Sequence, residues 1–320
     1  MTRYTSAFAA LMLSTSPVMA QVPTVATDIA PIHSLVAQVM GDLGEPTLLM
    51  DKGASPHSYA MRPSEARSLQ QAGVVFWSGN ALAPWLGGAI DTLAPNALSV
   101  PLIEAETSIQ LEFREGRTFD GHDHDGHDDH DGHDDHADHD DHDDHAGHDH
   151  TGLDPHAWLD PQNAIAWLDI IAKTLSNLDA ENAQTYAANA AEGAVELAAL
   201  TERLHEQLAD EHDLKFVVFH DAYHYFEARF DLNAMGAISL GDASAPSPAR
   251  ISELQHMIKD EGVDCVFAEP QFNLGLVKTL LDGTTAHSGV IDPLGRDIDL
   301  GPDFYGKLIQ GVADSIDACR

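Results

Sequence analysis

The chain has 320 residues, 43% of them apolar, with 16 basic against 52 acidic side chains and a formal charge of −36. That is enough apolar material for a buried core, and the length suits two domains better than one small module. A charge of this sign repels phosphate backbones and anionic headgroups, which sets nucleic acid and membrane surfaces aside as partners and makes a cation the natural one.

Residues 1–20 read as a secretory signal: Arg3, an apolar stretch over 7–13, then Val18, Met19 and Ala20 before the expected cleavage. The apolar stretch is too short to span a bilayer, and no later one approaches the roughly 20 residues a transmembrane helix needs. No Cys follows the expected cleavage at Gln21, so no lipid attachment is expected and the address is the periplasm, as a freely diffusing monomer. From there short apolar runs alternate with helical patterns. Strands are expected over 24–26, 47–50, 74–77 and 98–102, and helices over 31–40, 63–72 and 84–93. This βαβ rhythm implies a mostly parallel sheet.

Residues 120–150 have nothing apolar to bury: they hold 14 Asp and no Glu, Lys or Arg. Eleven of the 20 histidines fall here, namely His122, His124, His127, His130, His133, His136, His139, His142, His145, His148 and His150. From His124 to His148 a His recurs at every third position, which is not a helix's own period. Such a tract is disordered or organised by metal.

Helical character returns at 161–178 and again at 181–209. In the second stretch Ala183, Ala187, Ala190, Ala194, Leu197, Thr201, Leu204 and Leu208 recur four and three apart, marking one apolar face. At 1.5 Å per residue this helix is roughly 43 Å long. It either braces two lobes or packs along one. A second alternating series follows, with strands over 216–219, 234–239, 263–268 and 288–291 and helices over 222–230, 248–260, 274–281 and 304–318. The expected architecture is α/β, with two lobes of mostly parallel sheet.

Ligands of open α/β sheets bind at the carboxyl ends of strands. His57 follows the 47–50 strand in GASPHSY, His156 lies in LDPHAWLDP, and His220 ends KFVVFH. Asp292 follows the 288–291 strand in the same way, and Glu269 follows 263–268. Three imidazoles and one carboxylate, His57, His156, His220 and Asp292, make a set suited to tetrahedral Zn²⁺. The competing reading is that each His makes a structural hydrogen bond at its loop. Cys265 and Cys319 are the only thiols, and in an oxidising compartment they read either as a disulfide, worth roughly 4 kcal/mol on the chain-entropy account, or as two separate buried thiols. A secreted zinc hydrolase is the main rival function, but no HExxH or GxSxG motif is present. A storage or adhesive protein relying on the tract alone is the other.

GASPHSYAMRPSEARSL, LDPHAWLDPQNA, FHDAYHYFEARF, FAEPQ and SGVIDPLG, in this order and with a His-rich insertion before the second, resemble the zinc-binding subunit of bacterial zinc ABC importers. The likeness covers nearly the whole chain after the signal. It implies an N-terminal lobe at 21–180 that includes the tract, a rigid interlobe helix at 181–209 and a C-terminal lobe at 210–320, with the metal between lobes. It also implies that His57, His156, His220 and Asp292 or a water hold Zn²⁺, and that Cys265 and Cys319 are paired. Manganese-binding relatives typically carry a carboxylate where this chain has His220, so zinc is favoured. His224 departs from the family pattern, where Gly is commoner, and is expected at the surface, the other readings being a donor behind the metal ligands or an alternative ligand; Glu269 is expected to hold a loop or a hydrogen bond behind the ligands. The implied function is capture of Zn²⁺, without catalysis, for delivery to a membrane permease energised by its ATPase. The tract would serve as an accessory collector able to receive zinc from a periplasmic chaperone.

Overall fold

The computed structural model describes residues 22–114, 152–239, 246–272 and 274–319; the expected signal and the Asp/His tract with its eleven histidines lie outside them. The first sheet contains β1 (Val25–Thr27), β2 (Thr47–Leu48), β3 (Val74–Trp77) and β4 (Leu98–Pro101), all parallel, in the order β2-β1-β3-β4. The second contains β5 (Phe216–His220), β6 (Ala234–Ser239), β7 (Cys265–Ala268) and β8 (His287–Val290), also parallel, in the order β6-β5-β7-β8. The two orders are the same permutation. In each sheet the strand order reverses beside the first strand, between β1 and β3 and again between β5 and β7. The central strands are continuous apolar runs because both of their faces are covered, whereas β8 at an edge is largely exposed.

The helices are α1 (Ala30–Met40), α2 (Pro63–Gln71), α3 (Pro84–Leu93), α4 (Pro161–Leu178), α5 (Ala183–Gln207), α6 (His224–Phe230), α7 (Pro248–Asp260), α8 (Leu274–Leu281) and α9 (Phe304–Asp317). Pro31, Pro63, Pro84, Pro161 and Pro248 sit in first turns, where a missing N–H costs nothing and the fixed φ suits the helix. Asp160 caps α4 through Gln162 N, and Ser247 caps α7 through Arg250 N.

The long helix is α5, and it packs against α1 and α4 and also against α9. Its buried stripe is Tyr186, Ala190, Gly193, Leu197, Leu200 and Leu204, rotated from the expected face: Ala187 is exposed and Ala183, Ala194 and Thr201 are only half-buried. The larger Tyr186 and Leu200 take the interior, and Gly193 admits the Gln38 side chain of α1, whose Nε2 would lie 2.5 Å from an added Cβ. Direct bonds also join the halves: Tyr305 Oη donates to Trp158 O (2.7 Å), Trp158 Nε1 to Pro293 O (2.8 Å), and the Arg229 guanidinium grips Asp160 (2.7 and 2.8 Å). Cys265 at the start of β7 and Cys319 after α9 are joined as a disulfide, with Cα atoms 6.1 Å apart.

Three further histidines make structural contacts. His205 packs on Phe230, and His212 Nδ1 lies 2.9 Å from Asp231 O. His33 is buried in α1 with Nε2 3.1 Å from Pro46 O, and burial holds its pKa below the usual 6.5. The unfolded chain takes up this proton first, so the contribution is whole above about pH 6.5 and is lost as pH falls toward the folded value. The metal-free protein should therefore lose thermal stability below that pH, and His33→Gln should flatten the slope; equal slopes would clear His33 of the effect.

Candidate metal centre

His57 sits in a single turn of 3-10 helix, Pro56–Ser58, beyond the carboxyl end of β2. Trp85 of α3 holds this turn by donating Nε1–H to Pro56 O at 2.8 Å. His156 lies just before another such turn, Ala157–Leu159, which leads into α4. His220 is the last residue of β5, beside the reversal of the second sheet, and Glu269 follows β7 across the same crevice.

The three imidazoles converge. Among the described residues they form the one group of three or more His, Cys, Asp or Glu side chains able to share an ion, with ligand atoms all within 4.8 Å of one another. His57 Nε2 and His156 Nε2 are 3.4 Å apart. A tetrahedral Zn²⁺ with Zn–N of about 2.0–2.1 Å sets its ligand atoms roughly 3.3–3.4 Å apart, so this edge already has the required length. His156 and His220 are buried and His57 is half-buried. The cavity between them measures about 10 Å³, the scale of a single small occupant, and Trp158, Phe272, Pro293 and Leu294 close it with apolar surface.

Two carboxylates stand behind the rings. Asp154 Oδ1 accepts from His156 Nδ1 (2.7 Å) and from the His156 backbone N–H (3.0 Å); Glu269 Oε1 accepts from His220 Nδ1 (2.6 Å). Protonating Nδ1 leaves the Nε2 lone pair of each ring facing the cavity, the tautomer a metal needs. Burial alone would raise the Asp154 carboxyl, but the charge and hydrogen bond of His156, helped by His224, bring it down to about 2. His224 Nδ1 lies 3.5 Å from Asp154 Oδ2 with a quarter of its side chain exposed, so it stands behind His156 and outside the ring cluster. Asp154→Asn keeps the shape and removes the charge; a titration should show zinc binding 10–100-fold weaker, roughly the worth of such an outer partner. An unchanged affinity would remove Asp154 from this role.

Asp292 is not brought into the cluster. Its Oδ1 accepts from Leu294 N (3.0 Å), Gly295 N (3.1 Å) and Gln271 Nε2 (3.0 Å), and Oδ2 accepts from Arg296 N (2.6 Å). Both oxygens organise the loop after β8 and thereby set Pro293 and Leu294 at the cavity. The expected fourth ligand is thus a loop cap. Asp154 is the functional residue that sequence reasoning missed; its only signal is its place two residues before His156 in LDPHAW.

Two parallel sheets with a largely buried triad of imidazoles between them, two of the rings backed by a carboxylate, define a metal-binding protein of the two-lobed α/β kind. Residues 25–319 match the model of the family described as the periplasmic component A of the zinc-uptake complex, and the chain belongs to that family. It is 45% identical over 304 residues to the high-affinity zinc uptake system protein ZnuA of Brucella abortus strain 2308, covering 92% of this chain and 91% of that one. The like-named protein of Paracoccus denitrificans strain Pd 1222 is 42% identical over 312 residues, covering 97% and 96%. A crystal structure of ZnuA superposes with a TM-score of 0.72 at 22% identity, over 93% of this chain and 99% of the other, which establishes the shared fold.

Proposed function

We propose that this protein captures Zn²⁺ in the periplasm at His57, His156 and His220 and hands it to an ABC-type permease energised by its ATPase. The observation that carries the reading is the convergence of three imidazoles, with ligand atoms within 4.8 Å of one another and two of the rings paired through Nδ1 to buried carboxylates. Nitrogen ligands favour Zn²⁺ over harder ions such as Mn²⁺. With Asp292 committed to its loop, a water completes the shell. Membership of the zinc-uptake family and the zinc-uptake names of both relatives support the same cargo and the same permease class. The protein acts as a secreted monomer, and the tract at 120–150 serves as a weaker collector that accepts zinc from a chaperone and feeds the ordered centre. A hydrolase would need a base beside the metal, and Glu269, the carboxylate at the cavity, is engaged by His220.

The test is a competitive zinc titration of the protein with residues 120–150 replaced by a short Gly/Ser linker. One tight equivalent is expected to survive. If tight binding goes with the tract, the ordered centre is not the capture site.

A further inference from the structure

We propose that Arg114 is a positioning residue for His220, fixing from the first half of the molecule the direction in which that ring meets the ion. The proposal rests on the reading that the three histidines take zinc. Residues 111–114 form a short antiparallel ribbon with 152–154: Glu112 bridges Leu153, Phe113 N donates to Gly152 O (2.9 Å), and Asp154 N to Leu111 O (2.8 Å). The ribbon therefore runs into Asp154, the residue that orients His156. Tyr225 of α6 clamps it, accepting from Leu111 N (2.8 Å) while its hydroxyl donates to Asp154 O (3.0 Å).

Arg114 continues from this ribbon into the second half. Its guanidinium lies across two buried carboxylates. Nε donates to Asp221 (3.1 and 3.2 Å), Nη2 reaches Asp221 and Glu227 Oε1 (3.0 Å), and Nη1 donates to Glu227 Oε2 (2.7 Å). The side chains of Asp221 and Glu227 are 5% and 2% exposed, so the pairing is shielded from water. Asp221 is the next residue after His220, in a turn closed by Ala222 N donating to His220 O (2.9 Å). Glu227 Oε2 also accepts from Ala234 N (2.8 Å), tying α6 to β6. His220 is thus held twice: its ring by Glu269, and its backbone by Arg114 through Asp221. The same Arg sits on the ribbon that carries Asp154, so one planar fork sets the His156 and His220 segments relative to each other. Lysine keeps the charge but not the fork.

The experiment compares Arg114→Lys, Asp221→Asn and His220→Ala in the full chain loaded with one equivalent of metal. Zinc dissociation is timed by chelator capture, and the Co²⁺ form is read by its visible absorption, which reports coordination geometry. Both Arg114→Lys and Asp221→Asn should melt close to the parent, release zinc roughly tenfold faster, the lower end of what such outer partners are worth, and shift the cobalt bands. Parental zinc rates and cobalt bands in both variants, with His220→Ala losing the site, would overturn the role of Arg114 alone. An unaffected His220→Ala would overturn the underlying three-histidine reading as well.

Discussion

Replacing His220 with Ala in the protein carrying the Gly/Ser linker should weaken zinc binding by at least ~100-fold. The floor follows from the outer partners: a carboxylate that only orients a ligand is worth about 10–100-fold, and the ligand itself is worth more. The loss has two parts. One coordinating nitrogen disappears, and Glu269, buried at 1% exposure, loses the imidazole N–H that it accepts at 2.6 Å. Because Glu269 is left buried without that partner, metal-free His220→Ala should still unfold cooperatively but melt a few degrees below the parent, as a loss of ~1–3 kcal/mol implies. Chelator competition gives the affinity and a thermal scan of the metal-free protein gives the control. A variant that keeps the parental affinity would mean that His220 is not a ligand.

Removing the disulfide should have the largest effect on stability. Cys265 opens β7, a central strand, and Cys319 follows α9, so the bond anchors the last helix to the interior of the second sheet. Closing a loop of this length is worth roughly 4 kcal/mol on the chain-entropy account, within a usual range of about 2–5 kcal/mol. At roughly 2–4 °C per kcal/mol, Cys265→Ala with Cys319→Ala should lower Tm on the order of 10 °C. Alanine is the right replacement because Cys265 is fully buried and a serine there would bring an unsatisfied hydroxyl. The melt has to be run without metal, since a ligand bound only by the folded state would mask the loss. A fall of less than about 3 °C would show that the packing of α9 on α1 and α5 already fixes the C-terminus.

The strands and helices were legible because their signals are local. Val74–Trp77 is an unbroken apolar run and Ala234–Ser239 a mostly apolar one interrupted by Gly236, and Pro63, Pro84, Pro161 and Pro248 mark helix starts. The bridging of both halves by α5 was open in the sequence, because an apolar stripe does not say what it packs on; the stripe itself was misplaced by roughly 50° around the helix, at 3.6 residues per turn, once Tyr186 and Leu200 took the interior. The site was legible in part. Strand-end reasoning put His220, Glu269 and Asp292 on equal terms, yet in the second sheet only the crevice between β5 and β7 lies where the strand order reverses. Asp292 follows the edge strand β8, one position away, and strand order is not written in local pattern. Asp154 was hidden for a different reason: an Asp beside an Asp-rich tract carries no contrast, and its role depends on a hydrogen bond that only the fold provides.

The first sheet treats its own reversal differently. At the ends of β1 and β3, Asp28 Oδ2 accepts from both the backbone N–H (2.8 Å) and the hydroxyl (2.6 Å) of Ser78, and Oδ1 accepts from Ile29 N (2.8 Å). That crevice is satisfied from within, and the first half lines the histidine cluster through two connecting segments, those of His57 and His156. No strand end of this sheet enters the cluster, so chain can be added between β4 and His156 without altering the register of any strand. It is at this point in the chain that the sequence carries its run of aspartate and histidine, where added length leaves the pairing of both sheets untouched.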